Sequence, residues 1–315
     1  MPLRPLTIGG SATDAVGNAL TASVSVTVDE PTIFGSSLTS SDSVDHYNEY
    51  DLLFGDIKIS RTYATPNQDP NPYVRKWAAE DVAHDAASCI SFKFLPVDVL
   101  SGAKDAILTT IFEGMPPGRT RWWTYWHEPS GEIYTTHDFT AADYRAAFAY
   151  VNALAQAHVR PGVDARSYLC IEEYSMRPAN RFGPATPRPM SNVYPGDFID
   201  AIGFDCYSGW SNNPGPYHIS PAEQFDKLFQ VGVDFHKPIC FPEWGCGPTA
   251  PAGVNMTRAQ WITSTLKYVK PHKNDIPFVM WWNSANSDVD ASLVSDSASA
   301  AIWKSVCLNG WAGVT

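Results

Sequence analysis

The 315-residue sequence has little basic charge and no cluster of it. Lysine plus arginine number 22 against 33 aspartate plus glutamate, so the formal charge is −11. Nucleic acids and anionic membranes are bound through clustered Lys and Arg, so we expect neither as a partner. The sequence also lacks the run of roughly 20 apolar residues that a membrane-spanning helix needs, and residues 1 to 31 lack the compact apolar run of a signal peptide. We therefore expect no membrane insertion.

Motifs for metal ions and nucleotides are also missing. The six cysteines form no C-x-x-C pair and have no zinc-type Cys/His spacing. The eight histidines include no H-E-x-x-H, and Asp288 and Asp290 lack the glycine and later glutamate of a calcium loop. No G-x-G-x-x-G follows a candidate strand, and no G-x-x-x-x-G-K-[ST] is present. We expect neither a metal ion nor a cofactor.

The cysteines do not fix the redox compartment. Cys89, Cys170 and Cys240 lie inside β-like runs, which predicts small buried side chains. Cys206 and Cys246 follow strand ends, and the sequence leaves open whether they form a disulfide.

Aromatic residues, in contrast, are plentiful. The chain contains 11 Trp, 14 Tyr and 15 Phe, and it is 44% hydrophobic but only 17% charged. This balance fills a sizeable core and indicates a folded globular protein. Trp and Tyr suit a core, and they also suit stacking on a sugar ring.

Residues 1–31 differ from the rest of the chain. The stretch Ser11 to Val28 is rich in Ser and Thr and ends in alternating Val and Ser or Thr, which predicts a half-exposed strand. It resembles the last hairpin of a bacterial immunoglobulin-like domain, which indicates a remnant of a longer protein. A disordered leader or linker is the alternative.

From Pro31 onward, apolar runs alternate with helical patterns, as in repeated β/α units. Eight strands are predicted: Thr32 to Leu38, Asp56 to Ala64, Ser88 to Pro96, Thr120 to Pro129, Ala165 to Tyr174, Phe198 to Tyr207, Pro238 to Gly245 and Pro277 to Asn283. Eight strands with about seven helices in about 280 residues fit a single (β/α)8 TIM barrel, spanning 32–315, better than two domains.

Three helix starts carry capping signals. A hydroxyl residue stands three positions before an acceptor at Thr140, Ser220 and Thr257, and Pro221 occupies a first helical position. After Thr140, apolar residues recur every three or four positions, which predicts one face packed on the barrel wall: Tyr144, Ala147, Phe148, Val151, Leu154 and Ala155. Met176 to Pro195 shows no helical period and is predicted to be a long loop, where function is often added.

Active sites of TIM barrels lie at the carboxyl ends of the strands. The fourth predicted strand ends in Trp-His-Glu-Pro129 and the seventh in Pro-Glu-Trp-Gly245, which places Glu128 and Glu243 at one cleft. Glycoside hydrolysis needs such a pair, with one protonated acid for the leaving oxygen and one ionised carboxylate for the sugar. We expect burial and neighbouring groups to raise the pKa of the acid. Strand-end glutamates that only form salt bridges are the alternative.

At these residues the chain resembles a retaining glycoside hydrolase of the clan A barrels, and more narrowly it is similar to family 26, the β-mannanases. The features that carry the resemblance are His127-Glu128 and the segment Tyr194 to Tyr207. The resemblance covers about residues 32 to 309. It implies Glu128 as acid/base, Glu243 as nucleophile, Tyr207 as hydrogen-bonding partner of the nucleophile and His127 as a sugar contact. After Glu128 the sequence Pro-Ser-Gly-Glu-Ile133 departs from the family pattern.

Further candidates lie near other predicted strand ends. Arg61 and Tyr63 are placed to steady the nucleophile or a hydroxyl, and Asp205 contacts either sugar or the barrel interior. By alternation one of Glu172 and Glu173 faces the cleft, with a role either in sugar binding or in structure. One of Trp281 and Trp282 is predicted, by alternation, to form the floor of the cleft. Further sugar contacts are predicted at tryptophans near other strand ends, namely Trp126, Trp210 and Trp244.

These observations favour an endo-β-glycanase with retaining chemistry and no cofactor, acting as a secreted or surface-displayed monomer on β-mannan, or on β-xylan or β-glucan. The alternative is a barrel that binds polysaccharide without cutting it, in a cell-surface or phage-associated protein.

Overall fold

The computed structural model describes residues 4–13, 19–28, 31–37, 46–64, 79–177, 184, 187–208, 220–248, 256–284 and 290–314. Near the amino terminus, β1 (Arg4–Thr13) pairs antiparallel with β2 (Ala19–Val28), with Arg4 opposite Val28. The predicted strand is therefore confirmed and forms half of a hairpin. That this hairpin is the remnant of an immunoglobulin-like domain stays a prediction.

Eight parallel strands form a closed barrel in sequence order, and the last strand, β10, pairs with the first, β3. The strands are β3 (Ile33–Ser37), β4 (Ile59–Ala64), β5 (Ala87–Phe92), β6 (Arg121–Tyr125), β7 (Ala165–Glu172), β8 (Ala201–Ser208), β9 (Ile239–Cys246) and β10 (Phe278–Trp282). All eight predicted strands and the TIM-barrel fold are confirmed. The fourth barrel strand, β6, ends at Tyr125, so Glu128 follows the strand instead of ending it.

Helices surround the barrel: α1 (His46–Phe54), α2 (Pro96–Leu100), α3 (Asp105–Gly114), α4 (Ala141–His158), α5 (Met190–Val193), α6 (Pro221–Phe235), α7 (Arg258–Val269) and α8 (Ser297–Asn309). The three predicted caps are confirmed, because the hydroxyls of Thr140, Ser220 and Thr257 accept hydrogen bonds from backbone amides three residues later. None of the described helices combines the length and the apolar character needed to cross a bilayer.

Two apolar layers hold the barrel together. Alternate strand residues fill its interior, where the Tyr168 ring meets those of Trp122 and Phe278 edge to face, and Trp122 and Phe278 meet at a tilt. The intervening residues point outward against the helices, as Trp123 does against Phe148 of α4. The predicted face of α4 is confirmed, with Tyr144 and Phe148 fully buried and Leu154 partly buried. Each buried ring removes about 150–250 Å² from water, which makes this outer layer a main source of stability.

The predicted loop from Met176 to Pro195 contains only the four-residue helix α5 among its described residues, preceded by a 3₁₀ turn, Glu173–Met176. All six cysteines are buried free thiols, so the structure has no disulfide between Cys206 and Cys246. Cys89, Cys170 and Cys240 line the barrel interior, as predicted for small buried side chains.

Candidate active site

The segment after β6 carries Glu128 across the barrel mouth. The Trp126 amide donates to the Phe92 carbonyl at the end of β5 (2.9 Å), and the Glu128 amide donates to the Cys170 carbonyl of β7 (2.9 Å). Trp126 and Glu128 adopt left-handed backbone conformations, with φ of 49° and 55°. Such conformations cost non-glycine residues of the order of 1 kcal/mol, and they often occur at functional sites. The two hydrogen bonds therefore hold a strained turn that places Glu128 between two strands.

Glu243 lies on β9, and its carboxylate accepts hydrogen bonds from three side chains. Arg61 Nη1 donates to Oε1 at 3.1 Å and the Tyr63 hydroxyl donates to the same oxygen at 2.5 Å. The Tyr207 hydroxyl donates to Oε2. An ionised carboxylate satisfies all three donors, and the guanidinium supplies the compensating charge.

Arg61 is fully buried and is shared between two carboxylates. Its Nη1 also lies 3.0 Å from Asp205 Oδ1, and its Nη2 lies 3.6 Å from the Cys170 sulfur, which in turn lies 3.3 Å from Asp205 Oδ2. Burial opposes the charge on Arg61, but the Asp205 carboxylate raises the pKa of the guanidinium well above its ordinary value. The side chain of Asp205 is fully enclosed, so of its two predicted roles the barrel interior is the observed one.

The Glu128 carboxyl has a different environment. Among the described residues, no hydrogen bond or ion pair reaches its side chain, whereas Glu243 has three partners. Burial raises the pKa of Glu128 well above its ordinary value, and the carboxylates of Asp205, Glu243 and Glu172 raise it further against the opposing charge of Lys93. This is the direction expected for a general acid.

His127, before Glu128, is held by Ser91 on β5. Its Nδ1 lies 2.5 Å from the Ser91 hydroxyl, and its ring meets the Tyr63 ring edge to face at 5.4 Å. Burial lowers the pKa of His127 well below its ordinary value, and the positive charges of Lys93 and Arg61 lower it further. A neutral imidazole that is fixed in this way is suited to hydrogen bonding with a sugar hydroxyl.

Glu172 lies at the end of β7 in a cluster that includes the loop after that strand. Its Oε1 accepts from Arg188 Nη1 at 3.2 Å and from the Ser175 hydroxyl at 3.0 Å. Only 7% of Glu172 is exposed, which favours the structural one of its two predicted roles over a direct contact with sugar. Sequence reasoning missed Arg188, Ser91 and Lys93. For Arg188 a signal existed, since it lies in the irregular segment after β7, where function is often added.

Two of the predicted sugar contacts, Trp126 and Trp244, do not agree with the structure, because both side chains are buried. Trp244 is fully buried and packs on Trp261 and Trp303 of the helix layer, because its neighbour Glu243 takes the inward position on β9. Trp281 is also fully buried, and its indole donates to the Ala291 carbonyl at 2.8 Å.

Trp126, at 5% exposure, packs on Phe139. Trp282 is only partly buried and meets the Tyr207 ring edge to face at 5.5 Å, so of the pair Trp281 and Trp282 it is the one at the mouth. Trp210 lies outside the described residues. Of the predicted tryptophans that the structure describes, Trp282 is therefore the one whose position allows contact with a sugar.

No family model and no curated protein matches the sequence. Solved structures do resemble this one. A double mutant of the endo-β-1,4-mannanase from Cellulomonas fimi has a TM-score of 0.58 and 14% identity, over 86% of this chain and 70% of that chain. The catalytic domain of the family 26 endo-β-1,4-mannanase from Bacillus sp. JAMB-750 has a TM-score of 0.54 and 15% identity, over 80% of this chain and 77% of the other.

A triple mutant of the endo-β-1,4-glucanase from Xanthomonas axonopodis pv. citri has a TM-score of 0.56 and 10% identity, over 87% of this chain and 98% of the other. At these identities the similarity establishes a shared fold. The chain therefore has the TIM-barrel fold that these mannanases and this glucanase also have, and this is the fold that the sequence resemblance implied.

Proposed function

We propose that the protein is a retaining endo-β-glycanase in which Glu128 is the acid/base and Glu243 the nucleophile. The observation that carries this proposal is the contrast between two carboxyl groups at one barrel mouth. Glu243 accepts three hydrogen bonds and shares a buried guanidinium, whereas the pKa of Glu128 is raised by burial and by three carboxylates. Glycoside hydrolysis requires an ionised and a protonated carboxyl group.

In the first step a Glu243 oxygen attacks the anomeric carbon, the bond from that carbon to the leaving oxygen breaks, and Glu128 gives its proton to that oxygen. A glycosyl ester on Glu243 results, and Glu128 is left as a carboxylate. In the second step Glu128 removes a proton from water, the water oxygen attacks the anomeric carbon, and Glu243 leaves as a carboxylate. Both groups then regain their initial protonation states.

The surrounding residues support both steps. Arg61, Tyr63 and Tyr207 hold the Glu243 carboxylate in one orientation, which favours attack along a single direction. His127 provides a hydrogen bond to a sugar hydroxyl beside Glu128. Trp282 provides an apolar surface against the sugar at the cleavage point, on the side of the mouth where Tyr207 lies.

As substrate we propose β-mannan first, and β-xylan or β-glucan second. Two of the similar structures are endo-β-1,4-mannanases and one is an endo-β-1,4-glucanase, which supports a β-linked backbone cut internally. We further propose that the protein acts outside the cell, secreted or surface-displayed, as a monomer without a cofactor.

A reducing-sugar assay on mannan, xylan and mixed-linkage glucan tests the activity. We expect release from at least one polysaccharide, and loss of that release in Glu128→Ala and Glu243→Ala. Glu113→Ala is the matched control, because Glu113 is exposed, lies on α3 and bonds only to His158 among the described residues. Binding to a polysaccharide without any release would overturn the enzyme proposal in favour of a binding barrel.

Azide separates the roles of the two glutamates. On an activated aryl β-glycoside, Glu243→Ala with azide should give the α-glycosyl azide, because azide replaces the missing nucleophile and inverts the centre once. Glu128→Ala with azide should give the β-glycosyl azide, because azide then displaces the enzyme ester in a second inversion. NMR of the products distinguishes the anomers, and exchanged anomers would reverse the two assignments.

A further inference from the structure

A buried ion pair with its own hydrogen bonds lies on the acid side of the mouth. Arg188 reaches back from the segment after β7 to bind Glu172, the Tyr174 hydroxyl and the Ser175 hydroxyl. The side chains of Arg188 and Glu172 are only 11% and 9% exposed. The proposed mechanism uses neither residue, although a buried ion pair is costly to form.

This pair is connected to the turn that carries Glu128. The Glu128 amide donates a hydrogen bond to the carbonyl of Cys170, which lies two residues before Glu172 on β7. Ser130, two residues after Glu128, lies 3.4 Å from the Ser175 hydroxyl, which donates to Glu172. Glu172 is therefore fixed relative to Glu128 on both sides of the turn.

Glu172 is oriented away from solvent. Its Oε1 accepts hydrogen bonds from the Ser175 hydroxyl and from Arg188 Nη1, and its Oε2 is shielded from water. Burial leaves the pKa of Glu172 above its ordinary value, against its own backbone amide, the hydroxyls of Ser130 and Ser175 and the charge of Arg188, which each favour the carboxylate. The ion pair with Arg188 at 3.2 Å is the contact that supports a charge on Glu172. Glu172 is thus placed to act on Glu128 through its charge.

Charged groups act on Glu128 from four strands or strand ends. Carboxylates come from Glu172 on β7, Asp205 on β8 and Glu243 on β9, and the opposing cation is Lys93 after β5, while Arg61 on β4 acts on the adjacent His127. The neighbouring titratable groups that carry no charge here are the thiol of Cys170, the imidazole of His127 and the phenols of Tyr63, Tyr174 and Tyr207. Arg61 is bound to Asp205 and Glu243, and Arg188 is bound to Glu172. Each of the three other carboxylates therefore has an arginine, and Glu128 has none.

We propose that Glu172, fixed by Arg188 and Ser175, is a positioning residue whose negative charge keeps the proton on Glu128 until the leaving oxygen takes it. The proposal rests on the proposed function, since it assigns Glu128 as the acid. It predicts that Glu172 acts on the pH dependence of the reaction and not on sugar binding.

The test uses Glu172→Gln, which keeps the shape and removes the charge. We expect the basic limb of the pH profile of kcat/KM to move by about one pH unit toward acid, because an opposing carboxylate is lost and Arg188 is left unpaired. In Glu172→Gln with Arg188→Gln both charges are gone, so the shift should have the same sign and be smaller. This double variant also avoids an unpaired buried arginine, which keeps the test valid where the single variant fails to fold.

Glu173→Gln is the matched control. Glu173 is the next residue, is equally buried and is paired with Arg177, but it points into the helix layer. Its replacement should leave the basic limb unchanged. A 13C NMR titration of the Glu128 carboxyl, assigned with Glu128→Gln, gives the same shift without substrate, so it decides the inference even where no polysaccharide is cut. An unchanged Glu128 titration in Glu172→Gln, or an equal shift in Glu173→Gln, would overturn it.

Discussion

Glu243 and Glu128 lie on two sides of the barrel mouth, and these sides give the same kind of side chain opposite environments. On the side of β4, β8 and β9, Glu243 is surrounded by a guanidinium and two phenols that donate to it. On the side of β6 and β7, the carboxylates of Asp205, Glu243 and Glu172 raise the pKa of Glu128 against the opposing charge of Lys93. In the proposed mechanism this difference supplies one glutamate as the anion and the other as the acid, through the placement of two arginines.

The comparison is tested most strongly by replacing each of the two glutamates, in separate variants, with glutamine, which cannot ionise. Glu243→Gln should lose about 10⁴-fold or more of kcat on polysaccharide and on an aryl glycoside with a good leaving group, because both need the nucleophile. Glu128→Gln should lose about 10²- to 10⁴-fold on polysaccharide. On the aryl glycoside, which needs no proton, it should retain the burst of the first step. Equal losses on both substrates in both variants would contradict the division of roles.

The next-largest effect is expected from replacing Arg61. Arg61→Met leaves Asp205 and Glu243 without their shared cation, and removing one partner of such a buried network typically costs 3–5 kcal/mol. We expect a fall in the unfolding midpoint and about a 10²-fold loss of kcat/KM at the pH optimum. Arg61→Lys restores the charge but not the planar guanidinium, whose Nη1 bonds both carboxylates while its Nη2 reaches the Cys170 sulfur, so it should recover part of the stability and less of the rate. A fully active Arg61→Met variant would contradict the proposed role of the guanidinium.

Much of the fold could be predicted because barrel strands and helix caps are local signals. The cap at Thr140 needs only the two residues that form it, and the eight apolar runs coincide with the strands. The end of β6 was not predictable in this way. The apolar run continues through Trp126, but the backbone turns left-handed there, and only the hydrogen bonds to Phe92 and Cys170 of the neighbouring strands reveal why.

The residues of the candidate site also divide into those that local sequence signals could place and those that they could not. Glu243, Tyr207 and Arg61 are strand residues that were predicted from their positions near strand ends, and the structure brings them together at the Glu243 carboxylate. Trp244 and Trp281 are also strand residues, but an abundance of tryptophan does not say which face they occupy, and each follows or precedes a residue that faces the mouth. Arg188 was missed because its contact with Glu172 depends on the path of a loop, which no periodic pattern encodes.

Trp282 and Trp244 separate sugar contact from packing on the Glu243 side. Trp282→Ala should raise KM for oligosaccharides by about 10-fold and change the unfolding midpoint little, because its ring is only partly buried beside Tyr207. Trp244→Ala should cost about 3–5 kcal/mol of stability and leave KM of the folded enzyme near that of the wild type. Calorimetry and oligosaccharide kinetics on both variants give the two readouts. A raised KM in Trp244→Ala together with a large loss of stability in Trp282→Ala would contradict the placement of Trp282 at the cleft and of Trp244 in the helix layer.

The smallest effect expected is on stability, and it concerns the acid side. Because the folded protein raises the pKa of Glu128 above its ordinary value, the folded state binds more protons than the unfolded state as pH rises from about 4.5. The stabilising contribution of the protonated group is therefore complete at low pH and is lost as pH rises through the raised pKa. Glu128→Gln cannot ionise, so its unfolding midpoint should equal that of the wild type near pH 4 and exceed it by a few degrees at alkaline pH. Glu113→Gln, at an exposed position, should follow the wild type throughout. Parallel curves for Glu128→Gln and wild type would mean that Glu128 ionises in the fold as easily as in water, and the contrast between the two sides of the mouth would then fail.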